Sequence, residues 1–483
     1  MQDKFEKKEL KKKSVSLSDW YSDVILKAEL ADYGPAKGTM VIRPYGYAIW
    51  ETIQKTLDGW FKAGGVQNAY FPLFIPMNLL QKEKSHVAGF SPELWVVTHG
   101  GGKELTEPLV VRPTSETIMY EMYKRWIKSW RDLPYLINQW NNVVRYELRT
   151  YLFLRTSEFL WQEGHTVHET EGQAMDMVFT ALEWYRRVYE EVLAIPVIAG
   201  QKSESEKFAG AKVTYTVEAL MPDGKALQGG TSHNLGQNFS KAFGLTFQGR
   251  DGKEEFAWQT SWGFSTRSMG GLFLAHGDDH GVVLPPKVAP IQVVIIPIQG
   301  GDSGATDLQV YVDQIAGDLE KANIRVHVDR REGQSTGRKF NDWEVKGVPL
   351  RFEIGPNEKV QKIVTMTKRN TGEKLVFSRE DIATETGNQL EAIQNELYQV
   401  AQEFLQKNTF EVDNYDKFKE IMAGTRGLIK ATWCENATCE AKIKEETKAT
   451  TRVKPLDAPE VTDGKCIYCG KPANSIWYFG QSY

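Results

Sequence analysis

An arginine, a glutamate and a second arginine at alternate positions of NVVRYELR (Arg145, Glu147, Arg149) are the first spacing in the chain that can do chemistry. On an extended strand, residues two apart share a face, so this run predicts two guanidiniums and a carboxylate in one row, with Val144, Tyr146 and Leu148 behind. A loop with Arg155, Thr156 and Ser157 follows, and then FLWQEGH, where Trp161, Glu163 and His165 share a face. Rows like these are costly to bury without a partner. They suit either a surface ladder of ion pairs or a pocket for a small charged ligand, and the spacing leaves both open. Neither GxxxxGKS/T nor a strand-associated GxGxxG occurs, so any bound nucleotide must be held by side chains on strands.

Two further constellations stand out. The chain's 4 cysteines are Cys434 and Cys439, then Cys466 and Cys469 followed by Gly470. Two close pairs fit a tetrahedral four-thiolate zinc site, with free or redox-active thiols as the alternative. HGDDH, His276 to His280, offers ligands for a divalent ion and the basis of a rival reading as a metal-dependent phosphoesterase.

The elements that must position these residues come next. With 483 residues, 41% of them hydrophobic, the chain can form several domains. No apolar run nears the roughly 18 residues of a membrane span, and the lysine-rich start lacks the apolar centre of a secretory signal, so a cytoplasmic protein with no membrane contact is expected. The net charge of -4 gives no global pull on nucleic acid; RNA contact would need local basic patches.

Residues 1–17 read as a flexible lysine-rich tail. Ser18 is the expected cap of a helix through Trp20, Val24 and Leu26, and a second helix is expected from Tyr47 to Lys62, closed by Gly64 and Gly65. From Pro108 to Gly281, short alternating strands predict an α+β domain around an antiparallel sheet. At PPKVAPIQVVIIPI the pattern changes to a small βαβαβ unit with a parallel sheet, followed by a long helix near Gln389 to Gln406 and the cysteine-bearing tail. The expected domains are 18–288, 289–400 and 401–483.

Arg145-Tyr-Glu147, the Arg155 loop and Phe159 resemble motif 2 of the class II aminoacyl-tRNA synthetases. SWGFSTR, ending in Arg267, is similar to motif 3, and Gly46 to Pro76 occupies the place of motif 1, the dimer-forming element. Within that class VRPTSET, FLRTSEFLWQEGH, KALQGGTSH and the final YFGQSY resemble prolyl-tRNA synthetases of the archaeal and eukaryotic type. The resemblance implies an antiparallel-sheet catalytic domain, an α/β anticodon-binding domain and a small α+β zinc-binding C-terminal domain. It implies a homodimer whose partners are L-proline, ATP and tRNA(Pro).

It also implies roles. Glu116 and Glu163 would pair with the proline ammonium, Trp161 and Phe90 would wall the ring, and Thr114, His165 and His233 would supply orienting hydrogen bonds. Arg145 would hold the proline carboxylate and the α-phosphate together. Arg155 and Arg267 would hold the γ-phosphate, with Thr156 in the same loop; Phe159 would stack on adenine, Glu147 would read its amino group, and Gln228 and Thr231 would contact sugar and phosphate. Mg²⁺ would accompany the phosphates. Zn²⁺ on the four cysteines would be structural, and Tyr483 would fold back toward the active site. Arg330, Glu344, Lys346 and Arg351 are the candidates for anticodon contact, named from charge and position, with structural ion pairs the alternative for each. The stretch from Glu163 to Ser261 looks too short for the large editing insertion of bacterial-type relatives. A non-catalytic paralogue, the remaining rival, would be expected to lose Arg145, Glu147 or Arg267, and all are present.

Overall fold

The computed structural model describes residues 10–80, 94–298, 305–459 and 461–483. Helix α1 (Leu17–Lys27) is capped by Ser16, whose extended backbone lets its side chain accept from Asp19 N, so the cap lies two residues before the expected Ser18. Residues just before it, expected within the tail, are docked: Lys13 Nζ donates to Leu274 O (2.7 Å) and Gly277 O (2.5 Å). Helix α2 (Pro44–Ala63) starts earlier than expected because Pro44, with its fixed φ, suits the first turn; Gly64 closes it.

Helix α3 (Glu116–Trp126) leads to the strands of the main sheet: β1 (Tyr135–Val144) and β2 (Glu158–His168), then helix α4 (Glu171–Arg187), β3 (Ile198–Gln201), β4 (Val213–Leu220), β5 (Ala226–Gly236), β6 (Trp258–Ser265) and helix α5 (Arg267–His276). Strands β3, β4, β5, β6, β2 and β1 are neighbours in that order, all antiparallel. Alternation explains the sheet's two faces. Trp262 and Phe264 point into the main core with Tyr185 and Tyr189, while Ser261, Gly263 and Ser265 line the opposite, open face. NVVRYELR departs from expectation: β1 ends at Val144, and Arg145, Glu147 and Arg149 lie in the following turn. There Arg145 N binds Ser157 O (2.8 Å), and Arg149 N binds the Glu147 carboxylate (3.2 Å) instead of a neighbouring strand.

A second body follows: β7 (Val293–Pro297), α6 (Ala305–Lys321), β8 (Val326–Val328), α7 (Thr336–Val345), β9 (Leu350–Ile354), β10 (Ile363–Lys368) and β11 (Lys374–Ser378). Its sheet runs β8-β7-β9-β10-β11. The first three strands are parallel as expected, but β10 and β11 add an antiparallel pair, so the sheet is mixed. Helix α8 (Ile382–Lys407) leads to β12 (Thr409–Glu411), α9 (Tyr415–Ala423), β13 (Leu428–Trp433), α10 (Ala437–Thr447), β14 (Thr450–Pro455) and β15 (Ser475–Gly480). Strand β14 pairs with β3, so the C-terminal strands continue the main sheet, which reaches 11 strands. Gly200 permits that join: a Cβ there would sit 2.0 Å from Lys454 O.

Candidate active site

Two adjoining cavities open on the polar face of the main sheet, of about 280 and 570 Å³. Thr114, Glu116, Trp161, Glu163, His165, Gln228, Thr231 and His233 line the first. Glu147, Arg155 and Thr156 line the second. Arg145, Phe159 and Arg267 line both. Phe90 lies outside the described residues.

The first cavity is wired from its floor. Glu163, 2% exposed, accepts from Ser115 N (2.9 Å), Ser115 Oγ (2.5 Å), Asn141 Nδ2 (2.7 Å) and Gln139 Nε2 (3.3 Å), and pairs with His165 Nε2 (3.0 Å). Burial pushes its pKa up, but the His165 bond and charge, with the Ser115 and Asn141 donors, outweigh this and hold the carboxyl at about 2. Burial works against protonation of His165; Glu116 and Glu163 overcome it and raise its pKa. The result is a buried ion pair whose imidazole also meets Tyr120 OH at Nδ1 (3.3 Å). Glu116 begins α3, where the helix N-terminus favours a carboxylate, and it accepts from the Thr114 hydroxyl. Gly229 and Gly230 complete the floor; a Cβ on them would meet the Tyr189 and Tyr185 rings at 2.6 and 2.8 Å.

Arg145 is preset. Its Nε and Nη2 donate to Pro113 O (3.1 and 3.0 Å), and its guanidinium carbon lies 5.5 Å from the ring centres of both Phe159 and Trp161. Arg112, 1% exposed, secures that loop by donating to Phe71 O (2.8 Å) and Asn142 O (2.8 Å).

In the second cavity Arg155 Nε meets Glu147 Oε2 at 2.5 Å. Arg267 opens α5 and donates to Leu154 O (3.2 Å). Burial lowers its pKa, with Arg155 and Arg452 among the charges around it, so an anion beside it would be welcome. Beneath lies a fully buried cluster in which Glu218 pairs with Lys202 (2.7 Å) and with Arg452 of β14 (2.8 Å), two cations for one anion. Tyr483 lines the same cavity and donates to Asp223 Oδ1 (2.8 Å).

Ser115, Gln139, Asn141, Phe208, which lines the first cavity, and the Lys202–Glu218–Arg452 cluster were missed at the level of sequence. For Gln139 and Asn141 a signal existed: they alternate along β1 and lie opposite Glu163 and Trp161. Arg452 lies far from Glu218 in sequence, and nothing local in the sequence marks it.

HGDDH is committed elsewhere. Asp278 holds the Arg369 guanidinium through two bonds of 2.7 Å, Asp279 accepts from Ser14 N (2.9 Å), and the half-buried His276 meets Leu193 O through Nε2 (2.8 Å). The motif is a joint to the second body, not a metal cluster. The four cysteine sulfurs do converge, all within 4.8 Å of one another, with Cys434 Sγ 3.7 Å from Cys439 and 3.9 Å from Cys469. A tetrahedron with Zn–S bonds of about 2.3 Å has edges of about 3.8 Å, so the donors fit zinc.

Among the anticodon candidates, Arg330 pairs with Asp313, Lys346 with Glu29 (2.7 Å) and Arg351 with Glu353 (2.8 Å). Arg351 and Glu344 line a small cavity with Lys368, Arg369 and Lys374.

An antiparallel sheet with this cleft, joined to a mixed α/β domain, is the architecture of a class II aminoacyl-tRNA synthetase. Family models agree: the tRNA synthetase class II core domain (G, H, P, S and T) matches residues 96–275, an anticodon binding domain 292–389, and the prolyl-tRNA synthetase C-terminal domain 415–483. Proline–tRNA ligase 2 of Clostridioides difficile (strain 630) is 51% identical over 98% of both chains. The proline–tRNA ligase of Natranaerobius thermophilus is 51% identical over 99% of this chain and 98% of its own, and that of Acetoanaerobium sticklandii 52% over 96% of each. The chain therefore belongs to the prolyl-tRNA synthetase family.

Proposed function

We propose that the chain activates L-proline with ATP and transfers the prolyl group to tRNA(Pro). The observation that carries this is Arg145, a guanidinium held against Pro113 O that faces both cavities at once. From there it can bridge the proline carboxylate and the α-phosphate. A carboxylate oxygen attacks α-phosphorus in line, the bond to the β-phosphate oxygen breaks, and pyrophosphate leaves with its charge met by Arg155, Arg267 and the Mg²⁺ that accompanies ATP. In the second step a ribose hydroxyl of tRNA attacks the prolyl carbonyl and AMP leaves. No protein nucleophile is needed.

Glu116, Thr114 and His233 receive the ammonium and carboxylate, and Trp161 and Phe208 flank the ring. Glu163 already accepts several donors, so it acts by fixing His165 and the loop of Ser115. Phe159 stacks on adenine, Glu147 reads its amino group, Gln228 and Thr231 hold sugar and phosphate, and Thr156 shapes the motif 2 loop. The basic cavity beside Arg351 and Glu344 meets the anticodon, while Arg330 and Lys346 serve as ion pairs within the fold. The motif 1 segment, with exposed Tyr47, Tyr70 and Phe74, pairs two copies. No helix among the described residues is long and apolar enough to cross a membrane, which is compatible with a cytoplasmic enzyme.

Pyrophosphate exchange across the twenty amino acids with ATP and Mg²⁺ tests the reading. Proline should drive it, alanine and cysteine weakly, because a pocket gains only about 1–3 kcal/mol per methylene. No exchange with proline sinks the proposal; phosphate release without any amino acid would favour a phosphoesterase. Cys434, Cys439, Cys466 and Cys469 would hold a structural Zn²⁺. Metal analysis should find about one zinc per chain, lost with folding of the C-terminal domain when Cys466 is changed to Ser.

A further inference from the structure

Register places His165, Ser261, His233 and Thr214 in one cross-strand row over β2, β6, β5 and β4. At its end the Thr214 hydroxyl, 2% exposed, lies 2.9 Å from His233 Nδ1 and 3.0 Å from the amide nitrogen of Phe208. A hydroxyl has one proton and two lone pairs. The Phe208 N–H, a donor only, takes one lone pair. If His233 Nδ1 carried a proton it would take the other, and the buried Thr214 proton would face no acceptor among the described residues. If Nδ1 is bare, the Thr214 proton goes to it and every group is matched, the arrangement that buried polar groups adopt.

We propose that Thr214 is a positioning residue: held by the Phe208 amide, its hydroxyl donates to Nδ1 of His233 and fixes that imidazole as the Nε2–H tautomer, a neutral donor for an acceptor atom of the bound amino acid. The Phe208 ring supports this by lying 4.6 Å from the His233 ring at 30°, which sets the imidazole plane. His233 also stays neutral, because burial and then the nearby His165 push its pKa down to about 3. A histidine cation here would add a second charge beside the His165 pair; a fixed neutral donor orients the ligand without one. The ligand's identity rests on the activity proposed above, whereas the tautomer does not.

The test uses the full chain in two measurements. Nitrogen NMR on ¹⁵N-histidine-labelled protein without substrates, with the His233 signal assigned through His233→Gln, should find Nε2 protonated and Nδ1 bare. In Thr214→Val the signal should move toward the other tautomer, and Thr214→Ser should restore it. In pyrophosphate exchange Thr214→Val should raise the KM for proline about tenfold, one hydrogen bond to a charged group, with kcat and the KM for ATP within about twofold. A protonated Nδ1 in the unaltered chain overturns the proposal. So does a Thr214→Val protein that keeps both tautomer and proline KM, or one whose KM values for proline and ATP rise together as in general damage. If Thr214→Val does not fold, the unaltered chain and Thr214→Ser still decide through the NMR signal. If proline proves not to be the substrate, the tautomer result stands by itself.

Discussion

At one end of the cleft Glu163 is 2% exposed and gathers Ser115, Gln139, Asn141 and His165 around its two oxygens; at the other Arg155 leaves 54% of its side chain in solvent and meets Glu147 across a turn. The end proposed for the amino acid rests on a carboxylate and an imidazole whose hydrogen bonds are already made. The end proposed for the nucleotide presents long side chains from a turn and from the start of a helix. A small rigid ligand gains from a site that needs no rearrangement, since ordering costs are met in folding. A polyphosphate, with charge spread over several oxygens, needs cations more than fixed geometry.

Arg145 stands at the boundary, and its loss should have the largest effect. Arg145→Ala should abolish proline-dependent pyrophosphate exchange while leaving the fold intact; near-normal exchange in a folded variant would remove the bridge between the ends. Arg267→Ala comes next. It should lower kcat by about 10²–10³, or roughly 3–4 kcal/mol of transition-state stabilisation, with the proline KM little changed. An equal change in the proline constant would merge the two ends that the geometry separates.

Glu163→Gln probes the wired end through stability. The amide removes the charge that holds His165 protonated, and its NH₂ faces either Ser115 N, a donor only, or the Asn141 and Gln139 amides, which must turn to accept, so a loss of about 3 kcal/mol is expected from denaturant unfolding. The pH dependence has two limbs. The folded pKa of Glu163, about 2, lies below its unfolded value of about 4.3, so its contribution is present above the latter and fades as pH falls toward the former. The His165 pKa is raised, so its contribution is complete below about 6.5 and fades as pH rises through the folded value. The gap between Glu163→Gln and the unaltered chain should therefore be widest at about pH 4.3–6.5. A gap that grows steadily above that window would show that the pair is not ionic.

The contrast also explains what sequence alone could carry. Trp161, Glu163 and His165 alternate along a regular strand, so period two placed them on one face, and β2 bears this out. Arg145, Glu147 and Arg149 alternate too, yet they lie in a turn, because Arg145 N is drawn to Ser157 O across a hairpin that no local pattern marks. The two extra strands of the second body had the same cause: β10 and β11 carry ordinary alternation, but pairing direction is a tertiary choice. The cysteine pairs were legible because two close pairs are the spacing of a four-thiolate site, and the four sulfurs do converge. The Lys202–Glu218–Arg452 cluster was not, since it joins β4 to a C-terminal strand that follows a long intervening domain.

The smallest expected effect lies at the exposed end and tests the comparison most sharply. An exposed ion pair contributes about 0–1 kcal/mol and is screened by salt. Arg155 is 54% exposed although Glu147 is only 17% exposed, so Glu147→Gln should change stability by no more than about 1 kcal/mol even though the two side chains meet at 2.5 Å. Raising the ionic strength should increase the KM for ATP in the unaltered chain, because Arg155 works in solvent, and leave the KM for proline nearly constant, because Glu163 and His165 are sealed from counterions. If both constants rise in parallel with salt, the buried pair is open to solvent during turnover, and the difference between the two ends holds only for the protein at rest.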